Sequence, residues 1–340
     1  MTVPKIPVIV LTGFLGSGKT TILKHLLSLD EMRDSAVLIN EFGEIALDHH
    51  LVADVREDAI ILASGCVCCS VRNDLVRALC ELWVKAARHE IPPFRRVILE
   101  TTGLADPTPV LGTLAKNGLV TSIYRRAGLV TTVDAQHAMA QLEHHPEAVK
   151  QVALADQIVV TKADLTGPEE RAGLVRRLRT IQCFAPILES ARGNVAPNDL
   201  FGTGKSTNGS RPSDSSADEH AHDGAGHVHD GSVRTFSIET GMLSFHRFAL
   251  WLATVSQLYG GRLLRMKGIL HVDDEPTPVV VQSVQHVVYP TESLPRWPSG
   301  EPRTRLIFIV QDFDDELIAR FRTSIAELAP DADATAMHVP

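Results

Sequence analysis

The chain has 340 residues, more than one ordinary core accommodates, so two domains are expected. Hydrophobic residues make up 44% and charged residues 22%, the balance of a soluble globular protein. A net charge of −8 leaves no basic surplus for a general nucleic-acid binder, and no apolar run approaches the roughly eighteen residues of a membrane span.

The apolar N-terminal run leads directly into a glycine loop and lacks the layout of a signal peptide. A cytoplasmic location with reduced thiols is therefore expected, and clustered cysteines there read as metal-binding or redox-active before they read as disulfides. Through the first 190 residues or so, short continuous apolar runs alternate with helical patterns. IPVIVLT (6–12), AVLIN (36–40), AIILA (59–63), RVILE (96–100), GLVTTVD (128–134) and QIVVT (157–161) read as strands of a parallel sheet covered on both faces. In NDLVRALCELWVKAA, Leu75, Leu79, Leu82 and Ala86 recur at helical spacing, with Asn73 as the expected N-cap. EERAGLVRRLRTI places Leu174, Leu178 and Ile181 on one helical face. This alternation predicts a doubly wound, mostly parallel α/β domain over residues 1–192, which the glycine-loop motif taken up below makes one of the P-loop NTPase kind. Residues 193–232 are dominated by Gly, Ser, Asp, Asn and His and read as a flexible linker. From 233 to 340 the pattern is that of a smaller α+β domain. A helix is expected in SFHRFALWLATVSQLY, strands in GRLLRMKGILHVDD, TPVVVQSVQHVVYP and RLIFIV, and a closing helix in DELIARFRTSIAEL.

GFLGSGKT (13–20) satisfies G-x-x-x-x-G-K-[ST], and it follows a strand and opens a helix as that motif requires. Gly13, Gly16, Ser17 and Gly18 would turn backbone N–H groups inward around phosphates. Lys19 would reach the outer phosphates, the Thr20 hydroxyl can ligate Mg²⁺, and Thr21 continues the site. VVTKADL (159–165) ends a strand with Thr161, Lys162 and Asp164, similar to the guanine-reading N-K-x-D motif with Thr in place of Asn. The Asp164 carboxylate can accept from guanine N1–H and the 2-amino group, donors that adenine does not offer there. Lys162 could lay its stem along the base. The competing reading makes Asp164 a simple helix cap. In VILETTGLADP (97–107), Glu100 is placed to hold Mg²⁺ and Gly103 to offer its N–H to a γ-phosphate. Leu104 stands where Ras-type enzymes carry a water-orienting Gln, so slow intrinsic hydrolysis is expected.

Together GFLGSGKTT, LINEFGEIALDHHLV, GCVCCSVRNDL, ILETTGLADP and VVTKADL resemble, in order, the motifs of the CobW-type metallochaperone GTPases. LLRMKGIL, VVVQSVQHVVYP and the Trp297–Pro298 pair are similar to that family's C-terminal domain. The resemblance covers nearly the whole chain outside the linker. It departs at Thr161, and at Ala46 where many relatives have Gly. It implies GTP-dependent handling of Zn²⁺ or Co²⁺ and delivery to a client metalloprotein. It also implies a switch segment at NEFGE, in which Glu41 could approach Mg²⁺ or a thiolate-bound metal, with Asp48 in the same stretch.

Cys66, Cys68 and Cys69 follow a strand at the sheet edge that carries the phosphate loop. Three thiolates suit Zn²⁺ but leave a closed structural site one ligand short, which fits a metal meant to leave, with Glu41 a candidate fourth ligand. Cys66 and Cys69 also have C-x-x-C spacing, so a thiol redox switch stays open, as does non-enzymatic zinc buffering or storage. Cys80 and Cys183 lie in apolar helical sequence, where burial is expected. His220, His222, His227 and His229 form two H-x-H pairs in the linker and could chelate metal loosely. The single pairs His49–His50 and His144–His145 read as ordinary helix or loop residues with no metal role.

Overall fold

The computed structural model describes residues 4–40, 60–64, 71–201, 233–273, 275–298 and 301–330. In chain order the first part runs β1 (Ile6–Gly13), α1 (Lys19–Ser28), β2 (Ser35–Asn40), β3 (Ile60–Ser64), α2 (Val71–Ala87) and β4 (Arg96–Glu100). It continues with α3 (Thr108–Lys116), α4 (Gly118–Ile123), β5 (Tyr124–Asp134), α5 (Ala138–His144), α6 (Pro146–Leu154) and β6 (Gln157–Thr161). Then follow α7 (Pro168–Ile181), β7 (Ile187–Glu189) and α8 (Pro197–Phe201). The second part holds β8 (Val233–Thr240), α9 (Phe245–Tyr259), β9 (Leu263–Val272), β10 (Glu275–Val284), β11 (Val287–Val288), β12 (Glu292–Ser293), β13 (Thr304–Gln311) and α10 (Asp315–Ala326).

The first seven strands form one sheet in the order β3-β2-β4-β1-β5-β6-β7, every neighbouring pair parallel. The continuous apolar runs have the expected cause. On β1, Val8 and Val10 enter one core cluster while Ile9 and Leu11 enter another on the opposite face. On β4, Val97 and Leu99 divide from Ile98 in the same way. The helical faces also match, with Leu75, Leu79, Leu82, Leu174, Leu178 and Ile181 all buried.

Some local boundaries differ from the sequence reading. Helix α2 begins at Val71, so Asn73 is its third residue rather than its N-cap. Asp164 sits in a short 3-10 turn, and α7 begins only after Gly167, whose N–H donates to Glu170 Oε2 at 3.0 Å. Asp164 is thus not a cap for α7. The composition-based linker starts too early: Val195 and Leu200 are buried in the cluster that contains Ile22 and Leu23 of α1. Cys183 lies past the end of α7 and is exposed, whereas Cys80 on α2 is half-buried. The chain leaves the helix at Gln182, whose backbone is extended and whose Nε2 donates to the carbonyls of Ala153 at 2.8 Å and Ala155 at 3.1 Å.

In the second domain the sheet order is β11-β10-β9-β13-β8, with β12 paired to β10 and each of these strand pairings antiparallel. Helices α9 and α10 cover one face through Phe236, Phe248, Phe308 and Phe321. Phe308 and Phe321 meet edge to face, an arrangement that adds about 1 kcal/mol beyond burial. The two domains share packing: Leu264, Val284 and Ile309 belong to the core cluster of the first domain. Among the described residues no helix is long and apolar enough to cross a membrane.

Candidate functional site

The candidate site is built on the edge where the parallel strands end. Strand β1 closes at Gly13 with φ 145°, a conformation that side-chain-bearing residues avoid. A Cβ at Gly13 would also stand 2.2 Å from Thr132 Oγ1 and 2.4 Å from the Thr132 carbonyl on β5. Gly16 (φ 70°) and Gly18 (φ 85°) complete the turn, and α1 starts at Lys19. Lys19 is only 8% exposed, and its Nζ donates to the carbonyls of Gly13 at 2.9 Å and Phe14 at 3.1 Å. The ammonium is therefore held inside the loop, beside the N-terminus of α1, where a phosphate would be favoured by both charge and helix dipole.

Buried hydroxyls fix this loop from below. Ser17 Oγ lies 2.6 Å from Thr132 Oγ1. Thr161 Oγ1 donates to the Ser17 carbonyl at 2.8 Å and lies 3.2 Å from that of Val133. Thr161, the departure from the Asn pattern, thus ties the turn after β6 to the phosphate loop. On the other side Thr20 Oγ1 donates to Glu100 Oε1 at 2.9 Å. Glu100 is 3% exposed at the end of β4, in register with Leu11 of β1. A hydroxyl and a carboxylate converging beside a phosphate loop are hard oxygen donors of the kind Mg²⁺ takes, so this pair fits that ion.

After Glu100 the chain passes directly over the phosphate loop. A Cβ on Gly103 would lie 2.7 Å from the Leu15 nitrogen and 2.8 Å from its Cα, so only glycine fits. Gln151 of α6 holds the same segment by donating through Nε2 to the carbonyls of Gly103 and Ala105, each at 3.1 Å. Leu15 and Leu104 are 53% and 54% exposed.

The Thr161–Asp164 turn lies where β6 ends. Lys162 adopts φ 55°, and its Nζ pairs with Asp134 Oδ2 at 2.7 Å. Asp134 ends β5, is 2% exposed and also contacts His137 Nδ1 at 2.9 Å. Burial alone would raise its pKa. Hydrogen bonds from Lys162, His137 and the Gln136 N–H, with the charge of Lys162, outweigh this and hold it below the ordinary carboxylate value. Beside this turn, Ala163 N–H donates to the Ser190 carbonyl at 3.2 Å, and Arg192 Nε stands 3.9 Å from Asp164 Oδ2. Gly193 (φ 80°) lies against Thr21, whose Cγ2 would be 3.0 Å from an added Cβ. The segment from Ser190 to Gly193 therefore bridges the Asp164 turn and α1.

Gly13, Gly16, Ser17, Gly18, Lys19, Thr20, Thr21, Glu100, Gly103, Thr161, Lys162 and Asp164 are thus gathered on one edge. Asp134, Gln151 and the 190–193 loop were not foreseen. Asp134 had a visible signal, a carboxylate closing an apolar strand, but the other two touch the site only through tertiary packing. His145, exposed where α5 meets α6, stacks on Phe14 of the phosphate loop with ring centroids 4.6 Å apart. Glu41, Asp48, Cys66, Cys68, Cys69, His220, His222, His227 and His229 lie outside the described residues, as does Ala46. Strand β3, which leads to the cysteines, ends at Ser64 on the same sheet edge. Among the described residues no group of three or more His, Cys, Asp or Glu gathers as a metal site.

Comparison with known proteins agrees with this layout. Residues 7–189 match the family described as CobW/HypB/UreG, nucleotide-binding domain. Residues 233–324 match the cobalamin synthesis protein cobW C-terminal domain. The zinc chaperone YjiA of Escherichia coli is 32% identical over 326 residues, covering 93% of this chain and 98% of its own. The zinc-regulated GTPase metalloprotein activator 1 of Schizosaccharomyces pombe is 28% identical over 352 residues, covering 93% of this chain and 82% of its own. The crystal structure of Zn(II)-bound YjiA GTPase from E. coli aligns with a TM-score of 0.71 at 26% identity, over 96% of this chain and 100% of that one.

Proposed function

This chain belongs to the CobW/HypB/UreG family of GTPases, and on that premise we propose that it is a GTP-hydrolysing metallochaperone that carries Zn²⁺ or Co²⁺ to a client metalloprotein. The observation that carries the nucleotide reading is the Thr161 hydroxyl bonded to the Ser17 carbonyl, because it joins phosphate loop and base-reading turn into one site. GTP entering the loop exchanges the Lys19 contacts with the Gly13 and Phe14 carbonyls for contacts with phosphate oxygens. Loop N–H groups and the α1 N-terminus stabilise the same charge. Thr20 and Glu100 would hold Mg²⁺, which when bound neutralises charge on the phosphate oxygens. Asp164 accepts the two guanine donors, and Lys162, fixed by Asp134, lines the base. Gly103 N–H reads the γ-phosphate. With Leu104 in the following position no side-chain amide orients water there, so intrinsic turnover is slow.

The metal is cargo. Cys66, Cys68 and Cys69 supply soft ligands, Glu41 is the candidate fourth, and the linker histidines His220, His222, His227 and His229 form a loose accessory store. This part rests on the residues themselves and on relatives that are zinc chaperones. GTP hydrolysis by wild type and Lys19→Ala tests the enzyme: slow turnover is expected for the first and a loss of about 100-fold for the second. Competitive Zn²⁺ titration tests the coupling. Tighter binding with a GTP analogue than with GDP is expected, and equal affinity in both states and without nucleotide would sink it.

A further inference from the structure

We propose that Gln151 is a positioning residue for GTP hydrolysis, acting through the loop that follows Glu100. Gln151 lies on α6, is 1% exposed, and never faces the phosphate loop directly in its hydrogen bonding. One side-chain amide donates to two carbonyls, Gly103 and Ala105, which are two residues apart. Such a bridge fixes the curvature of the loop between them. The adjacent Lys150 reaches Asp106 Oδ2 at 2.8 Å, so successive residues of one helix hold three positions of one loop. The loop needs this hold because Gly103 must sit against the Leu15 backbone with no room for a Cβ. A small displacement there drives Gly103 into Leu15 or shifts the N–H to which the proposed function gives the γ-phosphate contact.

The helix is itself anchored. Thr131 Oγ1 on β5 donates to the Gln151 carbonyl at 2.9 Å. At its end, Arg265 of β9 donates through Nη1 to the carbonyls of Leu154 at 2.8 Å and Ala155 at 2.6 Å. Gln151 is therefore the point at which a rigid element, braced by the second domain, sets the geometry of the γ-phosphate loop. It is one step removed from the chemistry, which makes it a positioning residue. The inference rests on the reading of residues 13–21 as a GTP site.

The test uses the full-length protein with Mg²⁺. Wild type, Gln151→Met, which fills the volume without a donor, and Gln151→Asn, which keeps the donor but cannot span both carbonyls, are compared. Thermal unfolding, affinity for GDP and for a non-hydrolysable GTP analogue, and kcat and KM for GTP are measured. In Gln151→Met, GDP affinity and KM should stay within about twofold while kcat falls about tenfold. The preference for the GTP analogue over GDP should shrink, and Gln151→Asn should fall between the two. Wild-type kcat in both variants overturns the proposal. So does an equal loss of GDP affinity, analogue affinity and thermal stability, which is what a merely structural residue would give. Wild type that binds no guanine nucleotide overturns the GTP reading and this inference with it. Wild type that hydrolyses GTP beside unaffected variants overturns this inference alone.

Discussion

Thr161 stands where a guanine-reading motif ordinarily carries Asn, and its short side chain performs a connecting role. The hydroxyl donates to the Ser17 carbonyl and also lies near that of Val133, while its Cβ stands 3.5 Å from the Cβ that Gly18 lacks. Thr161→Val keeps the shape and removes the donor, leaving the Ser17 carbonyl unpaired by this group. Such a loss costs about 1–3 kcal/mol. The expected outcome is a lower melting temperature and a parallel loss of GDP and GTP affinity, read by thermal unfolding and by fluorescent-nucleotide titration. Asp134 and Asp164 are separable by the same titration. Asp134→Asn releases Lys162 and should weaken GDP binding about tenfold, while the preference for GDP over IDP, which lacks the 2-amino group, is kept. Asp164→Asn should instead erase that preference, because on the proposed function its carboxylate is the group that accepts from the guanine 2-amino group.

At the scale of elements, the phosphate loop gives a contrast between two glycines. Gly18 has φ 85°, but an added Cβ would meet only ordinary contacts with Thr161 at 3.5 Å. Gly18→Ala should therefore cost about 1–2 kcal/mol, the penalty of a left-handed residue. Gly13→Ala meets Thr132 atoms at 2.2 and 2.4 Å, so β5 must shift and little folded protein should accumulate. Soluble yield and melting temperature of the two variants check the order. The same element explains what could be read in advance. The loop residues and the runs of β1, β2, β4 and β6 were legible because burial on both faces imposes continuous apolar stretches. Strand β7 has three residues and β8 an alternating pattern in which only Phe236 and Ile238 are fully buried, signals too short or too polar to stand out. Gln151 was illegible for another reason: it lies 48 residues from Gly103, and only folding makes them neighbours.

At the scale of the molecule, the two domains are joined by a carboxylate between two guanidinium groups. Asp156, which precedes β6, pairs with Arg126 of β5 and with Arg265 of β9, and also accepts from the Leu129 N–H at 2.8 Å. Arg126 in turn lies 4.7 Å from the ring of Tyr289 in the second domain. Burial would raise the Asp156 pKa, but Arg265 and Arg126 together hold it far below its ordinary value of 3.8. The sign of the pH dependence follows. A carboxylate with a depressed folded pKa contributes stability that is fully present above about pH 5 and is lost as pH falls through 3.8 toward the folded value. Asp156→Asn removes that contribution and leaves two cations facing each other at the domain junction. At pH 7 it should destabilise the protein by on the order of 3 kcal/mol. Below pH 4 the difference from wild type should narrow, because the carboxylate then takes up a proton in the unfolded chain while the folded chain still holds it ionised. Trp251 and Trp297 lie in the second domain and Trp83 in the first, so tryptophan emission followed through urea unfolding at several pH values reads the junction mainly from the second domain. A wild type whose stability advantage over Asp156→Asn stays constant from pH 7 to pH 3 would show that the carboxylate charge does not hold the domains together.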